Sequence, residues 1–478
     1  MPEYELVCGL EVHTELATKS KIFCSCTTAF GGEPNTHVCE ICSGMPGTLP
    51  VVNEKVVQYA IKTGLATNCT ITQYNKFDRK NYFYPDLPKA YQISQLYLPI
   101  CQNGWVEIHD SKNGGMKKVR IKEIHMEEDA GKLVHDAYSD STLVDFNRCG
   151  VPLLEIVSEP DIASPDEAVE YVEKLREILQ FIGASDCKMQ EGSLRADVNV
   201  SVRPAGAQEF GTRTEMKNIN TFKGIHRAIE HESARQIDLL EDGKSVTQET
   251  RRWDDTRGIS YAMRSKEDAQ DYKYFPEPDL PPLSISDATI DLMRAGLPEL
   301  PAAKKARYME EYGLSQKDTD NICSSVYLVR VFEKTAEVTG DAKESAKWVL
   351  GELMKLLNDT STLPENMHFA PESLGKVILM LKDGKISRDS AKKTFEAVFT
   401  DDVDPEAYVK DNNMGLMNDT GAIRDAVAEV LANNEKAVNE YKGGKEASFN
   451  YLIGQSMRAL RGKAPAAEVT KILKELLG

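Results

Sequence analysis

Residues 4 to 15, YELVCGLEVHTE, alternate so strictly that they define an extended strand with one dry face. Tyr4, Leu6, Cys8, Leu10 and Val12 share one side, and Glu5, Val7, Gly9, Glu11, His13 and Glu15 share the other. A strand of this polarity needs neighbours that match it, which favours an antiparallel sheet with one face on a core and one face toward solvent. Leu194 to Arg203 repeats the arrangement: Leu194, Ala196, Val198, Val200 and Val202 alternate with Arg195, Asp197, Asn199, Ser201 and Arg203. One face of such a sheet packs, and the other is free for chemistry.

The pattern changes along the 478 residues. Residues 3 to 293 read as strands, turns and a few helices, whereas 294 to 478 read as helix after helix. The segment Phe275-Pro-Glu-Pro-Asp-Leu-Pro-Pro282 is too rich in proline for a helix or a central strand and marks the approach to the junction. Asp401-Asp-Val-Asp-Pro405 marks a second break. The expected fold class is α+β with three domains: a mainly antiparallel sheet domain over 1–293, a helical domain over 294–404 and a small helical tail over 405–478. One helix is fully punctuated, with Ser164 as N-cap, Pro165 in the first turn, Glu167 completing a capping box and Gly183 ending it. Ser345–Leu357 and Glu468–Leu477 show helical apolar stripes that suit packing.

A formal charge of −17 excludes a surface that coats nucleic acid everywhere, because phosphate binding draws on clustered cations. Any such contact is local. From Lys436 to the end, eight Lys/Arg face four Asp/Glu, a net of +4, and the choice there lies between an RNA contact and a solvated helix face. No stretch approaches the roughly 18 apolar residues of a membrane helix, and the first residues lack a secretory or transit pattern, so the expected location is the cytoplasm.

Three constellations bear on chemistry. Cys24-x-Cys26 and Cys39-x-x-Cys42 offer four thiolates on two knuckles, suited to structural zinc or present as reduced thiols in a cytoplasmic chain. Glu11, His13, the run Glu127-Glu128-Asp129, Glu155 and Asp197 offer carboxylates and an imidazole for a magnesium ion carrying ATP phosphates, if the strands bring them together. Strand parity alone does not decide between Glu127 and Glu128. Lys76-Phe-Asp-Arg79-Lys80-Asn-Tyr82-Phe-Tyr84, with Lys89, Tyr91 and Gln92 after it and Arg213, Lys217, Lys223 and Arg227 later, could bind phosphates and stack a base, or simply pack a sheet edge. The chain has no Gly-x-x-x-x-Gly-Lys-Ser/Thr loop, no Gly-x-Gly-x-x-Gly fingerprint and no amidase-like nucleophile run. ATP use therefore needs an unusual site, and any ammonia must come from elsewhere.

These blocks resemble the B subunits of the tRNA-dependent amidotransferases. The resemblance runs in order through Gly9-Leu-Glu11-Val-His13-Thr-Glu15-Leu, Phe77-Asp-Arg-Lys80-Asn-Tyr-Phe-Tyr84-Pro-Asp and Lys89-Ala-Tyr-Gln92-Ile-Ser-Gln95. It continues through His125-Met-Glu-Glu128-Asp-Ala-Gly-Lys132, Pro152-Leu-Leu-Glu155-Ile-Val-Ser-Glu-Pro-Asp161, Glu191-Gly-Ser-Leu-Arg195-Ala-Asp197 and Tyr272-Lys-Tyr-Phe-Pro276-Glu-Pro-Asp279 to Tyr451-Leu-Ile-Gly-Gln455-Ser-Met457.

It implies a glutamine-synthetase-like cradle domain, a helical domain and a tail that docks tRNA. It also implies a ligase working as a heterotrimer with two partners, an amidase and a small protein that clamps the amidase to this chain. The reaction it implies is activation of a misacylated tRNA by ATP and Mg2+. Carried over by motif, the magnesium ligands fall on His13, Glu128, Glu155 and Asp197 with Glu11 alongside. Lys80, Lys89 and Arg195 are expected phosphate contacts, and Arg458, Arg461 and Lys463 expected tRNA contacts in the basic tail. Zn2+ is argued from Cys24, Cys26, Cys39 and Cys42 themselves.

Overall fold

The alternating segment forms as the strand Tyr4–Glu15, and it lies in the middle of a nine-stranded sheet. The strands run across the sheet in the order Ile259–Ser265, Glu249–Asp254, Thr214–Lys217, Leu194–Pro204, Tyr4–Glu15, Pro152–Ser158, Met116–Glu128, Cys101–His109 and Thr70–Ile71. Every pairing is antiparallel except that of Thr214–Lys217 with Glu249–Asp254. The α+β class expected from the sequence is thus the class observed. The computed structural model describes residues 3–135, 141–265, 272–416, 420–460 and 463–478.

The chain forms two compact units, Met1–Pro301 and Ala302–Gly478. In the first, Cys8, Leu10, Val12, Leu154, Ile156, Ala196, Val198 and Val200 are buried on the apolar face of the sheet. Helices Glu54–Ala66, Pro165–Phe181 and Phe222–Glu241 cover that face with Val56, Ile61, Val172, Leu175, Ile225 and Ile229. Each fully buried aliphatic side chain contributes about 1.5–3 kcal/mol, so this seam fixes the register of the strands and thereby the polar face behind it.

The cap at Ser164 forms only in part as expected. Its side chain accepts from Glu167 N at 3.2 Å, but Glu167 turns away from the Ser164 amide and accepts from Ala163 N, Ser111 and Lys117. A nearby lysine out-competes the capping geometry.

The second unit is helical. Ser345–Leu357 is not one regular helix: α-helix Ala342–Trp348 passes through a π segment, Val349–Leu353, into Met354–Thr360. The helices Thr420–Ala432, Glu446–Ala459 and Ala466–Leu477 share a small core of Ile423, Val427, Leu452, Val469, Ile472 and Leu473. No helix among the described residues is long and apolar enough to cross a membrane.

Candidate metal centre on the polar face

Register determines which carboxylates meet. His13 lies opposite Glu155, and Glu155 lies opposite His125 on the next strand, so Glu123, His125 and Glu127 share the polar face, whereas beyond the register shift at Val157/Ser158 the phase changes and Val119 and Ile121 enter the core. That places Glu127 there and turns Glu128 to the other side. His13 Nε2 stands 3.8 Å from Glu127 Oε1 and 3.9 Å from Glu155 Oε1, close enough for the three to hold one cation. Burial, then repulsion from Glu155, raises the Glu127 carboxyl above its usual range, and Ser94 Oγ donates to it at 3.1 Å.

The surroundings of this cluster are cationic without neutralising it. Burial opposes the charge of Lys80, but Glu127 and Glu155 outweigh it and hold the ammonium above the ordinary lysine range. That ammonium stands 5.1 Å from the ring centre of Tyr272 and 5.9 Å from that of Tyr82, and among the described residues it makes no ion pair. Underneath, His125 Nδ1 donates to the Gln95 carbonyl, and its Nε2 faces Glu123 at 3.4 Å.

A second cluster lies on the same face, across Tyr4–Glu15 toward Leu194–Pro204. Glu11 lies opposite Asp197, and Thr214–Lys217 brings Glu215 beside them, so Glu11, Asp197 and Glu215 can also share one cation. Asn199 Nδ2 donates to Glu11 at 3.0 Å, and Thr250 Oγ1 donates to Glu215 at 2.7 Å. Unlike the first cluster, this one already holds an ammonium: Lys217 Nζ lies 2.6 Å from Asp197 and 2.9 Å from Glu215. Burial opposes its charge, but the two carboxylates keep it well above the lysine range. Because His13 and Glu11 are two residues apart on one strand, their Cα atoms are about 6.6 Å apart.

Glu128 has a different setting. Lys89 Nζ approaches its Oε1 at 2.5 Å, the Ile93 amide donates to the same oxygen at 2.9 Å, and both side chains are nearly buried. The pair adjoins Cys42 and Gly44 across a cavity of about 100 Å³ that Lys21, Phe23, Met45 and Tyr91 also line. Cys24, Cys26, Cys39 and Cys42 converge here with their sulphurs within 4.8 Å of one another. Lys21 is fully buried, donating to the His37 carbonyl at 2.7 Å and facing Cys42 Sγ at 3.6 Å. A hydrogen bond with Cys24, helped by Lys21, draws the Cys42 thiol down to about 4. A buried ammonium against sulphur fits a thiolate set with net negative charge, as four thiolates around a dication have. The other cysteines, Cys8, Cys69, Cys101, Cys149, Cys187 and Cys323, are buried.

The structure therefore splits the expected magnesium set. His13 and Glu155 meet, but with Glu127 in place of Glu128, while Glu11 and Asp197 belong to a separate cluster with Glu215, a residue that no sequence pattern singles out. Lys89 is committed to Glu128, away from the polar face. Arg195 stays on that face opposite His13 and binds Asp129 at 2.6 Å. Arg79, read as a phosphate candidate, is a strut: it donates two bonds to Glu277 at 2.7 and 2.8 Å and lies over Tyr91. At the end of the central strand, burial and the neighbouring Asp129 push the Glu15 carboxyl up to about 8. In the tail Arg458 is exposed and Lys463 half-buried, whereas Arg461 lies outside the described residues.

A mainly antiparallel sheet carries two acidic clusters on its open face, each with ligand atoms close enough to share one cation, and that arrangement defines the kind of site this chain presents. Comparison with known families then identifies the family. Residues 6–291 match the profile described as GatB/GatE catalytic domain, and residues 330–477 match the one described as GatB domain. The B subunit of an aspartyl/glutamyl-tRNA(Asn/Gln) amidotransferase from Lachnoclostridium phytofermentans is 56% identical over 477 residues, covering 100% of this chain and 99% of the relative. Proteins of the same description from Agathobacter rectalis and Carboxydothermus hydrogenoformans are 55% and 51% identical, each over 100% of this chain and 100% and 99% of their own. The chain belongs to the GatB family.

Proposed function

We propose that this chain is the activating component of a tRNA-dependent amidotransferase, a ligase that converts misacylated glutamyl-tRNA(Gln) or aspartyl-tRNA(Asn) into the amide. The observation that carries the reading is the pair of carboxylate clusters on one open sheet face; the relatives' descriptions supply the substrate class. A carboxylate resists attack by ammonia because it has no leaving group. Transfer of the γ-phosphoryl group of ATP to a side-chain carboxylate oxygen releases ADP and leaves an acyl phosphate. Ammonia then forms the C–N bond as inorganic phosphate departs. Magnesium, when bound, would neutralise charge on the phosphoryl oxygens.

The chain's own part is to hold and orient. His13, Glu127 and Glu155 would hold one ion and Glu11, Asp197 and Glu215 another, on adjacent positions of one rigid strand. Lys80 and Arg195 point positive charge at the same face, where transferred phosphate needs it. Zinc at Cys24, Cys26, Cys39 and Cys42 would staple the loop that walls off Lys89 and Glu128. We assign the 405–478 segment as a separate tail domain after the 294–404 helices, and Arg458, Arg461 and Lys463 as its tRNA contacts.

Because the chain itself shows no glutamine-hydrolysing motif, an amidase partner would supply ammonia and a small third protein would join the two, in the cytoplasm where tRNA is charged. The test is ADP release by the reconstituted heterotrimer with misacylated or correctly charged tRNA. Stimulation by the misacylated tRNA alone supports activation here; equal ADP release with both would reduce the chain to a binding scaffold.

A further inference from the structure

The two clusters differ in one respect that their residue types do not foretell. The first is bare: Lys80 acts on Glu127 and Glu155 through space and pairs with neither. The second is filled from within, by Lys217 between Asp197 and Glu215. Glu215 and Lys217 alternate on the same face of one short strand, and Asn199 and Thr250 brace the carboxylates from either side. The lysine stem is flexible, and its side chain is 35% exposed, against 18% for Asp197 and 23% for Glu215. It can therefore leave without disturbing the core, whereas the carboxylates are held by the sheet.

Resting on the reading that both clusters take divalent cations, we propose that Lys217 is a tethered competitor that occupies the Glu11–Asp197–Glu215 cluster until a divalent ion displaces it, so that the His13–Glu127–Glu155 cluster fills first. A divalent ion entering the second cluster must break two charge-assisted contacts, which lowers its apparent affinity. The displaced ammonium stays on the polar face, free to meet an anion that arrives with the ion. The second cluster would thus load best together with a phosphate-bearing substrate.

The test is a Mn2+ titration of the full-length chain, read by the electron paramagnetic resonance signal of free ion, for the parent and for Lys217→Met. The parent should bind its second Mn2+ at least about tenfold more weakly than its first, and Lys217→Met should recover about tenfold at the second site with the first unchanged. An unchanged or weakened second site in Lys217→Met would overturn the proposal. A second measurement needs no variant: amine labelling of Lys217, followed by mass spectrometry, should rise several-fold on adding Mn2+ beyond saturation of the first site, and constant labelling would contradict displacement. If only one ion binds in parent and variant alike, the Lys217 inference fails while the first cluster's role stands. If neither binds any, the metal reading itself fails.

Discussion

Glu127 and Glu128 are neighbours in sequence and opposites in use. Glu127 faces Glu155 and His13 on the open side of the sheet, with its carboxyl pushed upward by burial and by like charge. Glu128 faces Lys89 and the Ile93 amide near the cysteine knuckle, with its charge matched by an ammonium and a hydrogen bond. The first region stores electrostatic tension that a cation would relieve; the second has relieved it internally. Carboxylates left mutually repelling point to ligand binding, and a carboxylate locked to a nearly buried ammonium and a backbone amide, as Glu128 is, points to architecture.

The largest effect should come from Glu127→Gln. Amidation is expected to fall by at least about 100-fold, while the unfolding temperature stays within about 2 °C of the parent, because removing a repelling charge does not weaken the sheet. Activity assays and calorimetry together check this. The converse holds for Glu128→Gln: it strands the Lys89 ammonium in a nearly buried site, and a loss of about 3–5 kcal/mol is expected in the first unit by denaturant titration.

On the same side, Cys42→Ser should drop the zinc content measured by mass spectrometry from one per chain to none, and should expose the 20–50 loop to protease. If Cys42→Ser retains full zinc and protease resistance, the knuckle is not a closed metal site.

A pH experiment sharpens the contrast at the rim. Glu15 titrates near 8 in the folded chain against 4.5 for the ordinary group, so between those values the folded state binds more protons than the unfolded one. Stability therefore falls as pH rises through that window, and Glu15→Gln should flatten the decline. Urea midpoints taken from pH 5 to 8 measure it. The smallest effect is expected far from either region: Arg458→Ala, on an exposed helix end, should weaken tRNA binding about two- to threefold and reduce its salt dependence.

Much of this was legible in the residues because it follows from period two. The alternation of Tyr4–Glu15 and Leu194–Pro204 announces the sheet and its dry side, while the pairing that sets Glu11 opposite Asp197 is fixed only by the register of the two strands. What parity could not give was the phase of the Met116–Glu128 strand, since Glu127, Glu128 and Asp129 run consecutively and the strand's pairing partner sets which one turns inward. Glu215 carries no legible signal because Thr214–Lys217 is only four residues long, too short for a pattern to stand out. Lys217, two residues on, reads from sequence only as a cation. The fate of Arg79 and Lys89 also depended on distant partners, Glu277 and Glu128, which no local pattern reveals. In the helical unit the π segment at Val349–Leu353 has no sequence signature beyond an otherwise regular stripe.

The most direct test of the division between the two regions is ADP formation by the reconstituted heterotrimer on misacylated tRNA, with Glu127→Gln and Glu128→Gln compared at a temperature where both are folded. The account predicts that Glu127→Gln reduces the rate to background while Glu128→Gln keeps most of it. Loss of activity in Glu128→Gln with activity retained in Glu127→Gln would contradict it and move the phosphoryl-transfer chemistry to the Lys89 side of the strand.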